Sequence, residues 1–202
     1  MQPKIRSFVK RSLLSLALSG ALLPGLALAD VKIGDTVEPP TLRDANDKPA
    51  VMPDLGKKVL LILYTDPSVA DITDKFADRV KALGLPEAHF RSVGVANMAD
   101  AKGLANWLIR MVVRGKIKKY NVTILTDPDL SLKTQWHLGD TDDKSVVLLI
   151  DGNRKVRYVH TNKNKKDELV GAEQDEAVKI VQSVVAEQSG GTYTPKESPT
   201  RN

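Results

Sequence analysis

The sequence predicts an α/β domain built on a mixed sheet, with parallel crossovers first and an antiparallel hairpin last. Three observations carry this prediction. Two apolar runs, 59–64 and 145–150, have the length and continuity of strands buried on both faces. Around them lie segments whose apolar residues recur at three and four, the helical period. A turn signal, Asp151-Gly152-Asn153, separates the second run from a strand at Lys155–His160, which closes a hairpin. The resulting order is β-α-β-α-β-(α)-β-β-α, an arrangement with right-handed crossovers around one core.

Each element follows from local chemistry. Residues 30–56 read as an N-terminal extension with short strands at 31–35 and 41–44, punctuated by Pro39-Pro40, Pro49 and Pro53. After the first apolar strand, Thr65-Asp66-Pro67 turns into a helix expected over Ser68–Leu83. Its apolar stripe is Ile72, Phe76, Val80 and Leu83, with Asp74, Lys75, Asp78, Arg79 and Lys81 opposite. Gly84 and Pro86 end it. His89–Ala96 reads as the next strand. A second helix is expected over Ala99–Arg114, with Leu104, Trp107, Leu108, Met111 and Val112 facing the core and Gly115 closing it. A basic connector, 116–120, leads to a strand at Val122–Leu125. Thr126-Asp127-Pro128-Asp129 then turns into a short helix ending near His137-Leu138-Gly139. An acidic loop, Asp140–Asp143, precedes the second apolar strand. The last helix starts somewhere in 165–174 and turns Ala177, Val178, Val181, Val184 and Val185 inward. From Ser189 on, Gly190-Gly191, Pro195 and Pro199 predict a disordered tail. No tandem repeat is present.

The N-terminus has the form of a secretory signal. Lys4, Arg6, Lys10 and Arg11 precede an apolar stretch from Leu13 to Leu26, and Ala27-Leu28-Ala29 is a small-x-small cleavage site. The apolar stretch is short for a bilayer span of about 20 residues. Cleavage after Ala29 is therefore expected, with a soluble product beginning at Asp30, located in the periplasm and lacking a stable membrane insertion. The chain of 202 residues carries a formal charge of +5, of which the leader contributes four positive groups. The mature chain is near neutral and has no helix-turn-helix pattern, so a nucleic-acid partner is not expected. Residues 30–188 make one domain, and 189–202 the tail.

The chain has no cysteine. Thiol–disulfide exchange and peroxide reduction both need a sulfur nucleophile, so both are excluded.

Two stretches point to a known superfamily. Ile124-Leu125-Thr126-Asp127-Pro128-Asp129, followed by Trp136-His137-Leu138-Gly139, resembles a strand–turn–helix of peroxiredoxins. Val147–Tyr158 resembles their closing hairpin. Over about 31–187 the layout is similar to the thioredoxin/peroxiredoxin-like superfamily, and with its leader it looks most like the YtfJ family of cysteine-free periplasmic proteins. The resemblance implies a thioredoxin-like fold: a central mixed sheet flanked by helices, with an N-terminal strand extension. It places Ser68 and Asp71 in the two cysteine slots of a C-x-x-C. It places Thr65 and Ser68 on a peroxiredoxin T-x-x-C, and Ser145 where the superfamily has its cis-proline. The implied role is a non-redox binding or accessory module without a cofactor, its partner a periplasmic protein or small ligand.

Other residues offer chemistry of their own. Ser68 at a helix start reads as an N-cap, with Asp71 favouring the positive helix end. The rival is a cysteine-free hydrolase or cation-dependent enzyme at the Thr65–Asp71 turn. A serine nucleophile needs a base, usually histidine, and His89, His137 and His160 have no sequence relation to Ser68; His160 is expected in solvent. Asp66, Asp71, Asp127 and Asp129 follow parallel strands and are candidate ligands for calcium or magnesium. Arg110, Arg114, Lys116, Lys118 and Lys119 form a basic cluster, a candidate contact for an anionic partner. Trp107 and Trp136 read as core residues.

Overall fold

The computed structural model describes residues 30–99 and 105–195. The leader, Leu104 and residues 196–202 lie outside them. In chain order the elements are β1 (Leu42–Arg43), β2 (Pro49–Ala50), β3 (Val59–Thr65), a 3-10 turn (Pro67–Val69), α1 (Asp74–Ala82), β4 (Phe90–Asn97) and α2 (Asn106–Tyr120). There follow β5 (Thr123–Asp127), α3 (Ser131–Gln135), β6 (Ser145–Ile150), β7 (Val156–Thr161) and α4 (Gly171–Gln188). The strands form one seven-stranded sheet in the order β2-β1-β5-β4-β3-β6-β7. Its centre is parallel (β3 with β4, β4 with β5), and β6 enters antiparallel beside β3, opposing Thr65 to Ser145. The expected hairpin is present as β6–β7, with a register shift at Leu149/Ile150.

Alternation along β3 divides the core. Leu60, Ile62 and Tyr64 face a cluster with Val93, Val95, Leu125, Leu148 and Trp136, closed by the N-terminal extension. Val59 and Leu61 face Phe76, Val80, Val147, Leu149 and the five inward residues of α4 named above. Burying each such side chain stabilises by about 1.5–3 kcal/mol, which is why the continuous apolar runs become the central strands. Tyr158 packs on the α4 side, where burial, then Glu173 and Glu176, push its phenol up to about 12.

Residues 31–35 do not form a strand. Gly34 N–H donates to the Val156 carbonyl and Val37 N–H to that of Arg154, so the segment runs beside the start of β7 with a single bridge at Thr36–Lys155.

Both crossover helices differ from their expected spans. The α-helix proper begins at Asp74 rather than Ser68, because Pro67–Val69 is a separate 3-10 turn capped by Asp66. The second helix does not stop at Gly115 but continues through the basic stretch to Tyr120. It ends at Asn121, whose left-handed backbone (φ 52°) sends its N–H to the Ile117 carbonyl at 2.9 Å, a conformation asparagine tolerates. The buried stripe of α2 is Ile109 and Val113, with Ile117 beside them, not the stripe of Trp107 and Met111. Trp107 is 63% exposed, and Met111 and Val112 are exposed as well. Arg114 reaches the Ala45 carbonyl at 2.9 Å and Lys116 that of Ala70 at 3.3 Å. Trp107 and Met111 thus lie on the face of α2 turned away from the cluster that Ile109 and Val113 enter.

Beyond α4, Ser189 is buried and Tyr193 packs against the α4 cluster. The segment expected as tail thus starts with ordered contacts.

Candidate functional site

The turn after β3, to which the resemblance assigns a thiol, carries hydroxyls and carboxylates in this structure. Asp66 is buried and accepts the Ser68 N–H on Oδ1 at 2.7 Å, while its Oδ2 is buried without a hydrogen-bond partner among the described residues. Ser68 is therefore not the cap; it is capped. Its exposed hydroxyl donates to Asp143 Oδ1 at 2.6 Å, and the same oxygen pairs with Lys165 at 2.9 Å. Among the described residues the Ser68 hydroxyl is bonded to a carboxylate and not to a histidine, so the relay that would activate a serine nucleophile is not assembled around it. Asp71 lies in the following turn and pairs with Lys116 at 2.6 Å rather than with a helix N-terminus.

Thr65 and Ser145 do meet. Their hydroxyls are 3.0 Å apart, and Ser145 Oγ also donates to the Tyr64 carbonyl at 3.1 Å. The Ser145 N–H donates to Asn162 Oδ1. Where the resemblance puts a cis-proline, a buried serine thus joins β3, β6 and the end of β7, and no described peptide bond is cis. His160 is not solvated as expected: it lines a void of about 10 Å³ with Thr73, Ser145 and Asn162, and its Nε2 is buried without a partner.

The four candidate cation ligands go to separate partners. Asp127 is fully buried at the end of β5. It accepts the N–H groups of Ser131, Leu132 and Lys133 at 2.7–3.3 Å and the Tyr64 hydroxyl at 3.1 Å. Burial pushes its carboxyl above the ordinary value, against those four donors. Asp129 is exposed beside Arg43 at 3.5 Å. Among the described residues, no three acidic or histidine side chains are grouped as a metal site.

The basic cluster is likewise divided. Arg110 pairs with Asp47, Arg114 with the Ala45 carbonyl, and Lys116 with Asp71. These cations tie α2 to the extension and to the β3 turn; Lys118 stays exposed.

The feature that the sequence reading missed is a cleft of about 900 Å³ between α1 and α2. Its floor is one face of β4, where Ser92 is exposed and Gly94 and Ala96 half-exposed. Interior parallel strands are normally covered on both faces. Here α1 packs over β3 and β6, while α2 packs on Ala96, Ile124 and the extension, leaving β4 open between them. Leu63, Val80, Val112, Val113 and Val122 line the walls, and Thr65, Pro67, Ala70 and Thr73 bring the cleft up to the β3 turn. The signal was available in β4, Phe90-Arg91-Ser92-Val93-Gly94-Val95-Ala96, whose large residues alternate with small ones. On the α1 wall, burial and then the neighbouring Asp71 and Asp78 hold the Asp74 carboxyl above its ordinary value, against Lys116.

No family model matches the chain, and no curated protein sequence matches it. Solved structures do. A peroxiredoxin-like protein from Aquifex aeolicus superposes with a TM-score of 0.55 at 17% identity, over 77% of this chain and 89% of that one. A thiol peroxidase from Chromobacterium violaceum gives 0.51 at 14%, over 77% and 88%. An exposed lipoprotein thioredoxin from Streptococcus pneumoniae gives 0.50 at 12%, over 70% and 98%. With the strand order and closing hairpin described above, these likenesses establish a thioredoxin-like fold that contains no cysteine.

Proposed function

We propose that this chain is an exported, non-redox binding or accessory module of the periplasm, of the YtfJ type, and that it binds through the cleft between α1 and α2. The observation that carries the reading is the contrast between neighbouring features. Ser68, which the resemblance sets in a thiol slot, is held to a carboxylate, whereas the cleft beside it, which shares Thr65, Ala70 and Thr73, is open and mainly apolar. Apolar clefts of about 300–1,000 Å³ with a few polar groups are the usual form of a ligand site. The leader supports export, and the periplasmic partner is a protein or a small ligand.

Capture of periplasmic components by the purified exported product tests the binding role. Ser92→Phe, which places a ring on the cleft floor, should remove the captured component while leaving the melting temperature unchanged. Capture indifferent to that substitution would move the binding surface elsewhere. N-terminal sequencing should read from Asp30; a full-length, membrane-bound product would refute export. A hydrolytic activity abolished by Ser68→Ala at unchanged stability would refute the non-catalytic reading.

A further inference from the structure

We propose that the cleft takes a single-chain cationic amphiphile, its head beside Asp74 and Asp78 and its hydrocarbon chain along the floor of β4. This names the ligand class of the binding-module reading and rests on it.

The floor of the cleft disfavours a peptide occupant. α1 is anchored over β3 and β6, and α2 over Ala96 and Ile124. Leu63 and Thr65 of β3 and Thr123 and Ile124 of β5 flank β4 on the floor between them. An extended peptide cannot add to the floor, because both edges of β4 are already bonded, to β3 and β5. A peptide lying there would leave its own backbone groups without partners. A hydrocarbon chain is thin and has no such groups to satisfy. The walls it would meet are Leu63, Val80, Val112, Val113 and Val122.

Charge selects the head. Seven ionisable side chains line the cleft: Lys58, Lys81, Arg91, Lys116, Asp74, Asp78 and Glu87. Three of the four cations are already engaged. Lys58 and Arg91 share Asp54 at 3.5 and 2.7 Å, and Lys116 holds Asp71 at 2.6 Å. Asp74, Asp78 and Glu87 make no side-chain hydrogen bond or ion pair among the described residues; because Asp54 is shared by two cations, two positive charges remain to offset these three carboxylates. The uncompensated charge is negative. Asp74 and Asp78 stand one turn apart on α1, directly above the apolar wall. Burial first, and after it the neighbouring Asp71 and Asp78, hold the Asp74 carboxyl above its ordinary value, against Lys116. An ammonium head relieves that repulsion, whereas a carboxylate head adds to it.

Isothermal titration of the purified protein, expressed from the full sequence, with decyltrimethylammonium and with decanoate below their micelle concentrations tests this. The cation should bind at least tenfold more tightly, and the preference should weaken as salt is added. Asp74→Asn combined with Asp78→Asn should bring the two affinities within twofold. Ser92→Phe should abolish binding of both at an unchanged melting temperature. Equal or tighter binding of decanoate, or cation binding that survives Ser92→Phe, would overturn the proposal. If neither amphiphile binds while a periplasmic component is still captured in a Ser92-dependent way, the ligand class is wrong and the binding module stands. Loss of that capture as well would remove both.

Discussion

Tyr64 and Asp127 form a buried pair, and removing the phenol hydroxyl should be measurable in a predictable way. Both residues are fully buried, and the hydroxyl donates to Asp127 Oδ2 at 3.1 Å. Tyr64→Phe leaves the ring in place and takes away one of the four donors to the carboxylate. A hydrogen bond to a charged group contributes about 1.5–3 kcal/mol, so the variant should lose that much at neutral pH. For a domain of this size the loss corresponds to roughly 3–12 °C in melting temperature. The pH dependence has a definite sign. The Asp127 carboxyl is raised in the folded protein, and the Tyr64 hydroxyl acts to lower it. Removing the hydroxyl raises it further. A group raised on folding contributes stability that is full below the unfolded value and is lost as pH climbs through the folded one. The deficit of Tyr64→Phe should thus be small well below the ordinary aspartate value, grow as pH rises through the raised one, and stay constant above it. Urea titrations of both proteins at pH 3 and pH 7 read this directly. A deficit that is equal at the two pH values, or below about 0.5 kcal/mol at pH 7, would refute the argument that the hydroxyl stabilises an ionised Asp127.

Three more outcomes follow from the packing. Asp66→Ala removes the side chain that caps the 3-10 turn and should cost about 0.5–2 kcal/mol, while Ser68→Ala, at an exposed hydroxyl, should stay within about 0.5 kcal/mol of the parent; denaturant midpoints separate the two. Trp136 is 2% exposed with its indole N–H on the Glu38 carbonyl at 2.7 Å, so Trp136→Ala should cost about 3–5 kcal/mol. Iodide should quench the projecting Trp107 and spare Trp136, and equal quenching of the two would contradict the placement of α2. Phe76→Ala, under α1, should also cost about 3–5 kcal/mol, and an unchanged unfolding midpoint would mean that α1 does not pack on β3.

The elements read correctly from the sequence are those with only one apolar face or with apolar residues all round. The runs at 59–64 and 145–150, the hairpin and the valines of α4 had no second way to be buried. For α2, periodicity was ambiguous: Trp107/Met111 and Ile109/Val113 both recur at the helical spacing. Only the tie of Arg110 and Arg114 to the extension decides which stripe faces inward. The role of Ser68 failed for a related reason. A capping residue is identified by where the helix begins, and the buried Asp66 moved that beginning to Asp74.

By itself, the sequence determines that this chain performs no thiol chemistry, because a nucleophilic sulfur is absent from its covalent structure. It also determines the thioredoxin-like order of elements, because burial of apolar runs acts locally along the chain. The open face of β4, the free carboxylates above it and the pairing of Thr65 with Ser145 were decided only in three dimensions. Each depends on how far apart two helices settle on a common sheet, or on the register in which two distant strands meet. Those are properties of packing between elements remote in sequence, which no local periodicity encodes.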